Sequence, residues 1–284
     1  MKFFAYMDGK AQGLAVETPD GFRGLNAKAD RFPGRLEKLI AQGGDALAEA
    51  GKVLAKGREI DPAQVKFLPP IRKAGKFIAV GLNYRAHTAE GPYEQPDYPT
   101  LFARFASSFV GHGQPILRPK ASVQLDYEGE LVAVIGKRAK DVSVDQALDH
   151  VIGYSIFNDA SVRDYQRRTP QWTPGKNFDG TGGFGPWFVS ADALPPGCKG
   201  LTLETRLNGQ SVQKAPIDDM VFPVADLVSI ISAVMTLEPG DVIITGTPSG
   251  VGHARKPQLW MKDGDTCEVE ISGIGILSNP IKDA

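Results

Sequence analysis

The chain has 284 residues, is 42% hydrophobic and 23% charged, and carries a formal net charge of −1. That length suits one large domain or one domain with a small appendage, and the near-neutral charge gives no electrostatic case for nucleic acid or an anionic membrane. The 32 glycines and 21 prolines favour many turns and short strands over long helices. Cys198 and Cys267 stand far apart without metal-type spacing, which fits a reducing compartment better than a disulfide scaffold. The start, MKFFAYMDGKAQG, turns polar too soon for a signal peptide, and no run approaches a membrane span. A soluble cytoplasmic protein is expected.

Residues 1–70 read as a small N-terminal α+β unit, and 71–284 as the main, largely β, domain. Lys2 to Met7 and Gly13 to Glu17 are short β-type runs joined by the hairpin signal Asp8-Gly9. Arg35 to Leu54 carries apolar residues at helical spacing, interrupted at Gly43-Gly44. No chemistry is legible in this unit. After Leu68-Pro69-Pro70 the pattern becomes strand-rich. Lys76 to Gly81 is a strand, and Asn83 to Glu90 makes one or two helical turns. Leu125 to Gly136 is a strand, apolar on both faces from Leu131 onward. A further strand ends at Asn158-Asp159. The glycines of 180–185 suggest an irregular loop closely approached by other groups. Leu201 to Leu207 and Ser211 to Lys214 form a hairpin about Asn208-Gly209. Val224 to Met235 is the best helix of this half. Pro239-Gly240-Asp241 turns into the strand Val242 to Thr245, and Cys267 to Ile271 with Ile276-Leu277 close the sheet. Mostly strands with few helices predict an irregular mixed β architecture rather than a doubly wound one.

The chemistry centres on Glu128 and Glu130. Two apart in a strand, they share a face. At the mouth of a buried strand they repel each other and resist desolvation, and a divalent cation resolves both. An exposed strand edge would solvate such a pair equally well, so other residues must decide. Asp159 is either a helix N-cap or a third carboxylate. Three carboxylates suit Mg²⁺, Mn²⁺ or Ca²⁺ and poorly suit zinc. His87 and Glu90, three apart on a helical turn, make a general-base pair or a solvated surface pair. The Gly91-Pro92 stop after them, with Pro96 and Pro99, suggests a lid. Lys176 lies in a glycine-rich stretch where it could neutralise an oxyanion. His112, His150 and His253 have no companions at useful spacing and read as structural. The run Val242 to Gly252 lacks the lysine of a phosphate loop, but its amides and the Thr247 hydroxyl could hold a small carboxylate.

Taken together and in order, GLNYRAHTAE (81–90), DYEGELVAVIGK (126–137), GYSIFNDASVRDYQ (153–166), LNGQSVQ (207–213) and LEPGDVIITGTPSGVG (237–252) resemble the fumarylacetoacetate hydrolase superfamily. The resemblance implies a mixed β-roll fold, usually dimeric, with a Mg²⁺ or Mn²⁺ site on Glu128, Glu130 and Asp159. It implies a lid-borne dyad, His87 and Glu90, a catalytic Lys176, and substrate contacts at Arg85, Gln166 and Thr247. The expected substrate is a small 2-oxo or 2,4-dioxo acid. The expected activity is metal-dependent hydrolysis of a C–C bond in an acylpyruvate or fumarylpyruvate. The alternative is a decarboxylase of oxaloacetate-like acids, or an isomerase or hydratase of unsaturated dioic acids in aromatic catabolism. A non-catalytic binding protein would show a broken dyad or ligand set, and neither is broken here.

Overall fold

The computed structural model describes residues 1–91 and 94–284. Pro92, part of the expected stop after Gly91, lies outside the described residues. The main sheet runs, edge to edge, through Arg58–Glu59, Gly21–Asn26, Ala11–Thr18, Lys2–Asp8, Gly182–Ser190, Val151–Asn158, Gly129–Ile135, Val242–Ile244, Phe77–Gly81 and Thr100–Ala103. Neighbours are antiparallel except Val242–Ile244 beside Phe77–Gly81. The N-terminal strands therefore extend the main sheet through the pairing of Lys2–Asp8 with Gly182–Ser190. A second sheet is ordered Gln210–Pro216, Thr202–Leu207, Thr266–Ile271, Gly275–Asp283 and Ile116–Arg118. Leu125–Asp126 and Ser161–Val162 form a separate ribbon.

The strand Gly129–Ile135 is buried along its whole length. Leu131, Ala133 and Ile135 point into one core, with Leu227, Val228 and Ile231 of the helix Val224–Val234 and with Leu203 and Val269 of the second sheet. Val132 and Val134 point into the other, with Leu39 and Leu47 of the helices Leu36–Ala41 and Gly44–Leu54. The period of two is thus apolar on both faces because both faces are covered. Each fully buried Leu or Ile contributes about 1.5–3 kcal/mol relative to exposure.

Local signals are met where backbone chemistry is strict. Gly43 separates the two N-terminal helices at φ 97°, and Asn208 and Gly209 both take the positive φ of a hairpin turn. Two expectations are corrected. The glycines of 182–185 do not form a loop; they open the strand Gly182–Ser190. They are glycines because other groups press on the strand: a Cβ on Gly183 would meet Asn279 Oδ1 at 2.5 Å, and one on Gly182 would meet Phe157 Cζ at 2.8 Å. The carboxylate strand does not run unbroken from Leu125. It breaks at Tyr127-Glu128, and only Gly129–Ile135 lies in the main sheet.

Candidate functional site

Gly129–Ile135 pairs antiparallel with Val151–Asn158, with Glu130 opposite Phe157 and Gly129 opposite Asn158. Beyond that ladder the Asp159 amide donates to the Glu128 carbonyl at 2.8 Å, and the Glu128 amide donates to Asn158 Oδ1 at 3.1 Å. Two neighbouring strand ends are thereby locked side by side. Their three carboxylates, Glu128, Glu130 and Asp159, converge so that one oxygen from each lies within 4.8 Å of the others. All three are buried.

Lys176 closes one side of this group. Its ammonium donates to Glu128 Oε2 and to Asp159 Oδ2, each at 2.6 Å. The turn Thr173–Lys176 can reach this position because Gly175 rests on Gln166, where a Cβ would meet the Gln166 amide nitrogen at 2.3 Å. Arg163 Nη2 makes an ion pair with Glu128 Oε1 at 2.7 Å, while its Nε donates to Asp126 Oδ2 at 2.8 Å. Arg104 Nη1 donates to Asp159 Oδ1. Glu130 differs from its neighbours: among the described residues no cation pairs with it, and its donor is the Gly246 amide.

These environments push the two glutamates apart. Burial raises Glu130 well above the ordinary carboxylate range, and the charges of Asp159 and Glu128 raise it further. Burial also acts upward on Glu128, but Lys176 and Arg163 outweigh it and hold that carboxyl low. Asp126 is likewise held low, Arg163 and His253 outweighing its burial. Four buried carboxyl groups (Asp126, Glu128, Glu130, Asp159) thus face three buried cations (Arg104, Arg163, Lys176), so Glu130 has no cationic partner and its ionised form calls for one more positive charge. An all-oxygen set with an excess of negative charge and one unpaired carboxylate fits a hard divalent cation.

The carboxylates line a cavity of about 40 Å³, walled by Phe102 and Trp172 and reached by His87, Gln166 and Thr247. His87 stands on the short helix Arg85–Thr88, its Nδ1 3.3 Å from Glu90 Oε2. Glu90 Oε1 accepts from the Gly250 amide at 2.6 Å, tying the helix to the glycine-rich turn. Thr247 Oγ1 donates to the Gly129 carbonyl and accepts from Gln213, and Gln166 Oε1 accepts from Arg163 at 2.9 Å. Seven of the nine residues singled out in the sequence line this cavity, and an eighth, Glu90, stands just outside it against His87. The exception is Arg85. It is exposed and lines a separate surface groove with Lys214 and Asp219. Two positions along a helix turn the side chain by about 200°, so the turn that aims His87 inward aims Arg85 out. Arg85 is not a lining residue of this cavity.

Sequence reasoning missed Arg104, Arg163, Asp126 and His253. His253 read as structural, yet it lines the cavity with its Nδ1 3.3 Å from Asp126 Oδ2. Arg163 and Arg104 both meet their carboxylates across long stretches of chain, so neither carries a local signal.

The chain matches the family model described as fumarylacetoacetate (FAA) hydrolase C-terminal over residues 76–282. It is 37% identical over 283 residues to the mitochondrial oxaloacetate tautomerase of Xenopus laevis, covering 98% of this chain and 88% of that protein. The structure is similar to a fumarylacetoacetate hydrolase from Exiguobacterium antarcticum, with TM-score 0.83, 35% identity and all of both chains covered. It is also similar to 5-carboxymethyl-2-hydroxymuconate delta-isomerase from Mycobacterium smegmatis, with TM-score 0.78, 34% identity, and 100% of this chain and 99% of that one covered. Buried carboxylates, dyad and lysine thus sit within a match that spans most of the chain, and the protein belongs to the fumarylacetoacetate hydrolase family.

Proposed function

We propose that the protein interconverts the keto and enol forms of a small 2-oxo acid of the oxaloacetate type, using a divalent metal. The observation that carries this reading is the meeting of His87, Lys176 and the three carboxylates on one narrow cavity. Its lining of charged and polar side chains favours a small acid over an apolar ligand. Likeness to an oxaloacetate tautomerase along nearly the whole chain supports the same choice.

A divalent cation held by Glu128, Glu130 and Asp159 would supply positive charge that lowers the energy of an enolate oxygen. His87, with Nδ1 against Glu90, presents its ring to the cavity and takes the proton from C3 of the keto acid. The C3–H bond breaks, a C2–C3 double bond forms, and the C2 oxygen takes up a proton to give the enol. The reverse sequence returns the keto form, and no atom is gained or lost. Lys176, anchored between Glu128 and Asp159, is a fixed positive charge beside the developing oxyanion. Phe102 and Trp172 keep bulk water from the enolate.

The His87–Glu90 pair also favours a second reading, hydrolysis of a 2,4-dioxo acid. The same base would deprotonate a water that adds to the distal carbonyl. The C–C bond then breaks to a 2-oxo acid and a carboxylic acid. Oxaloacetate and acetylpyruvate, each assayed with Mg²⁺ and with Mn²⁺, separate the two. Accelerated loss of the oxaloacetate enol absorbance, without pyruvate from acetylpyruvate, is expected. Pyruvate release from acetylpyruvate would put hydrolysis first, and no turnover of either would contradict both. His87→Ala should lower the rate by about 10²-fold or more with metal binding retained.

A further inference from the structure

The cavity opens outward past Gly91, Arg167 and His253, which line both it and an adjoining surface groove. The inner end is anionic in its side chains, and the outer end is not. Arg167 follows the helix Arg163–Gln166, is exposed, and pairs with no carboxylate among the described residues. His253 is held from behind. Asp126 Oδ2 accepts from the His253 amide at 3.0 Å and faces its Nδ1 at 3.3 Å. Asp126 is itself fixed by Arg163 and by the Gly252 amide at 2.7 Å. The ring is therefore oriented, with Nδ1 turned to Asp126, and Nε2 has no hydrogen-bond partner among the described residues. Glu90, the carboxylate nearest this opening, already has one oxygen on Gly250 and the other on His87. Arg255 also borders the groove, but its Nε and Nη2 are committed to Tyr127, Gly250 and Val212.

Charge gives this arrangement a purpose. With Glu130 ionised on a divalent cation, the buried groups leave one negative charge and the cation turns it into one positive charge, enough to balance the first carboxylate of a 2-oxo acid. A second carboxylate on the same substrate would have no counter-charge inside. It needs cationic or donor groups further out, along the line from the carboxylates to the mouth.

We propose that Arg167 and His253 form a second-carboxylate subsite, which makes the enzyme select 2-oxo dioic acids over 2-oxo monocarboxylic acids of equal length. This rests on the function proposed above. Arg167 supplies the charge and a two-pronged donor; His253, as an imidazolium with Nδ1–H on Asp126, supplies an Nε2–H donor whose direction Asp126 sets. The two are specificity-determining residues and take no part in the proton transfer.

Binding tests this without requiring turnover. The probes are 2-oxoglutarate and 2-oxopentanoate, which differ only in the distal carboxylate, titrated calorimetrically into the Mg²⁺-loaded protein. The wild type is expected to bind the dioic acid about tenfold more tightly or better. Arg167→Leu should shrink that preference to near unity by weakening 2-oxoglutarate alone. Arg167→Lys should restore part of it, and His253→Phe should reduce it severalfold. A variant that merely loosened the fold would weaken both acids together. Equal affinity of the wild type for the two acids, or a preference that survives Arg167→Leu, would overturn the subsite. Failure of oxaloacetate turnover would count against the proposed function and leave this binding comparison to be judged by itself.

Discussion

Glu130 carries a carboxyl whose surroundings favour the proton: burial first, then the charges of Asp159 and Glu128. In the unfolded chain the same group ionises near its ordinary value of 4.5. Between that pH and its higher folded value, the native state binds more protons than the unfolded one. Stability from this group is therefore present at low pH and lost as pH rises. Asp126 and Glu128 behave oppositely. Burial pushes both up, but Arg163, with His253 or Lys176, outweighs it, so their stabilisation is complete above the ordinary carboxylate range. Glu130 is thus the group among these three whose contribution changes from about pH 5 upward. A divalent cation competes with its proton. The gain in thermal midpoint on adding Mg²⁺ should be small near about pH 5 and large near about pH 8, reaching about 2.7 kcal/mol of stabilisation at a hundredfold excess over Kd. Differential scanning calorimetry at the two pH values measures it. Equal gains at both, or none, would contradict the assignment of Glu130.

At the scale of elements, the site hangs on short pieces held by close backbone approaches. The strand Val242–Ile244 ends in a turn whose Gly246, at φ 100°, gives its amide to Glu130. A Cβ there would meet Asn83 Cβ at 2.7 Å and the Val80 carbonyl oxygen at 3.0 Å. Gly246→Ala should cost at least about 2 kcal/mol in chemical denaturation and should weaken metal binding as the amide is displaced. A variant with wild-type stability and metal affinity would refute this role. Elements also decide what can be read from sequence. Glu128, Glu130 and Asp159 are legible because an ionisable group stands at the end of an apolar strand, a local conflict that only a partner resolves. His87 and Glu90 are legible from helical spacing. Arg104 is not: it meets Asp159 across 55 positions, and nothing around Phe102-Ala103-Arg104-Phe105 announces it. The glycine-rich first half of the strand Gly182–Ser190 escaped because its glycines answer to Phe157 and Asn279, residues distant in the chain. The orientation of Arg85 was not legible because the motif that carries it gives no direction for a four-residue helix.

For the whole molecule, the main sheet is the device that holds charge still. Gly129–Ile135 lies well inside it, between Val151–Asn158 and Val242–Ile244, and a hydrophobic core covers each face. Carboxylates from two adjoining strand ends, a lysine from a following turn and an amide from a third strand's exit converge on one point. A scaffold of this stiffness can keep like charges close where a loop would let them part. No helix among the described residues is long and apolar enough to cross a membrane. The central claim is that Glu128, Glu130 and Asp159 hold one divalent cation at which a 2-oxo acid binds. Electron paramagnetic resonance of Mn²⁺ titrated into the protein tests it most directly. One Mn²⁺ per chain is expected, with a spectrum altered by 2-oxoglutarate and affinity reduced at least tenfold or so in folded Glu130→Gln. No bound Mn²⁺, or full affinity in that variant, would contradict the claim.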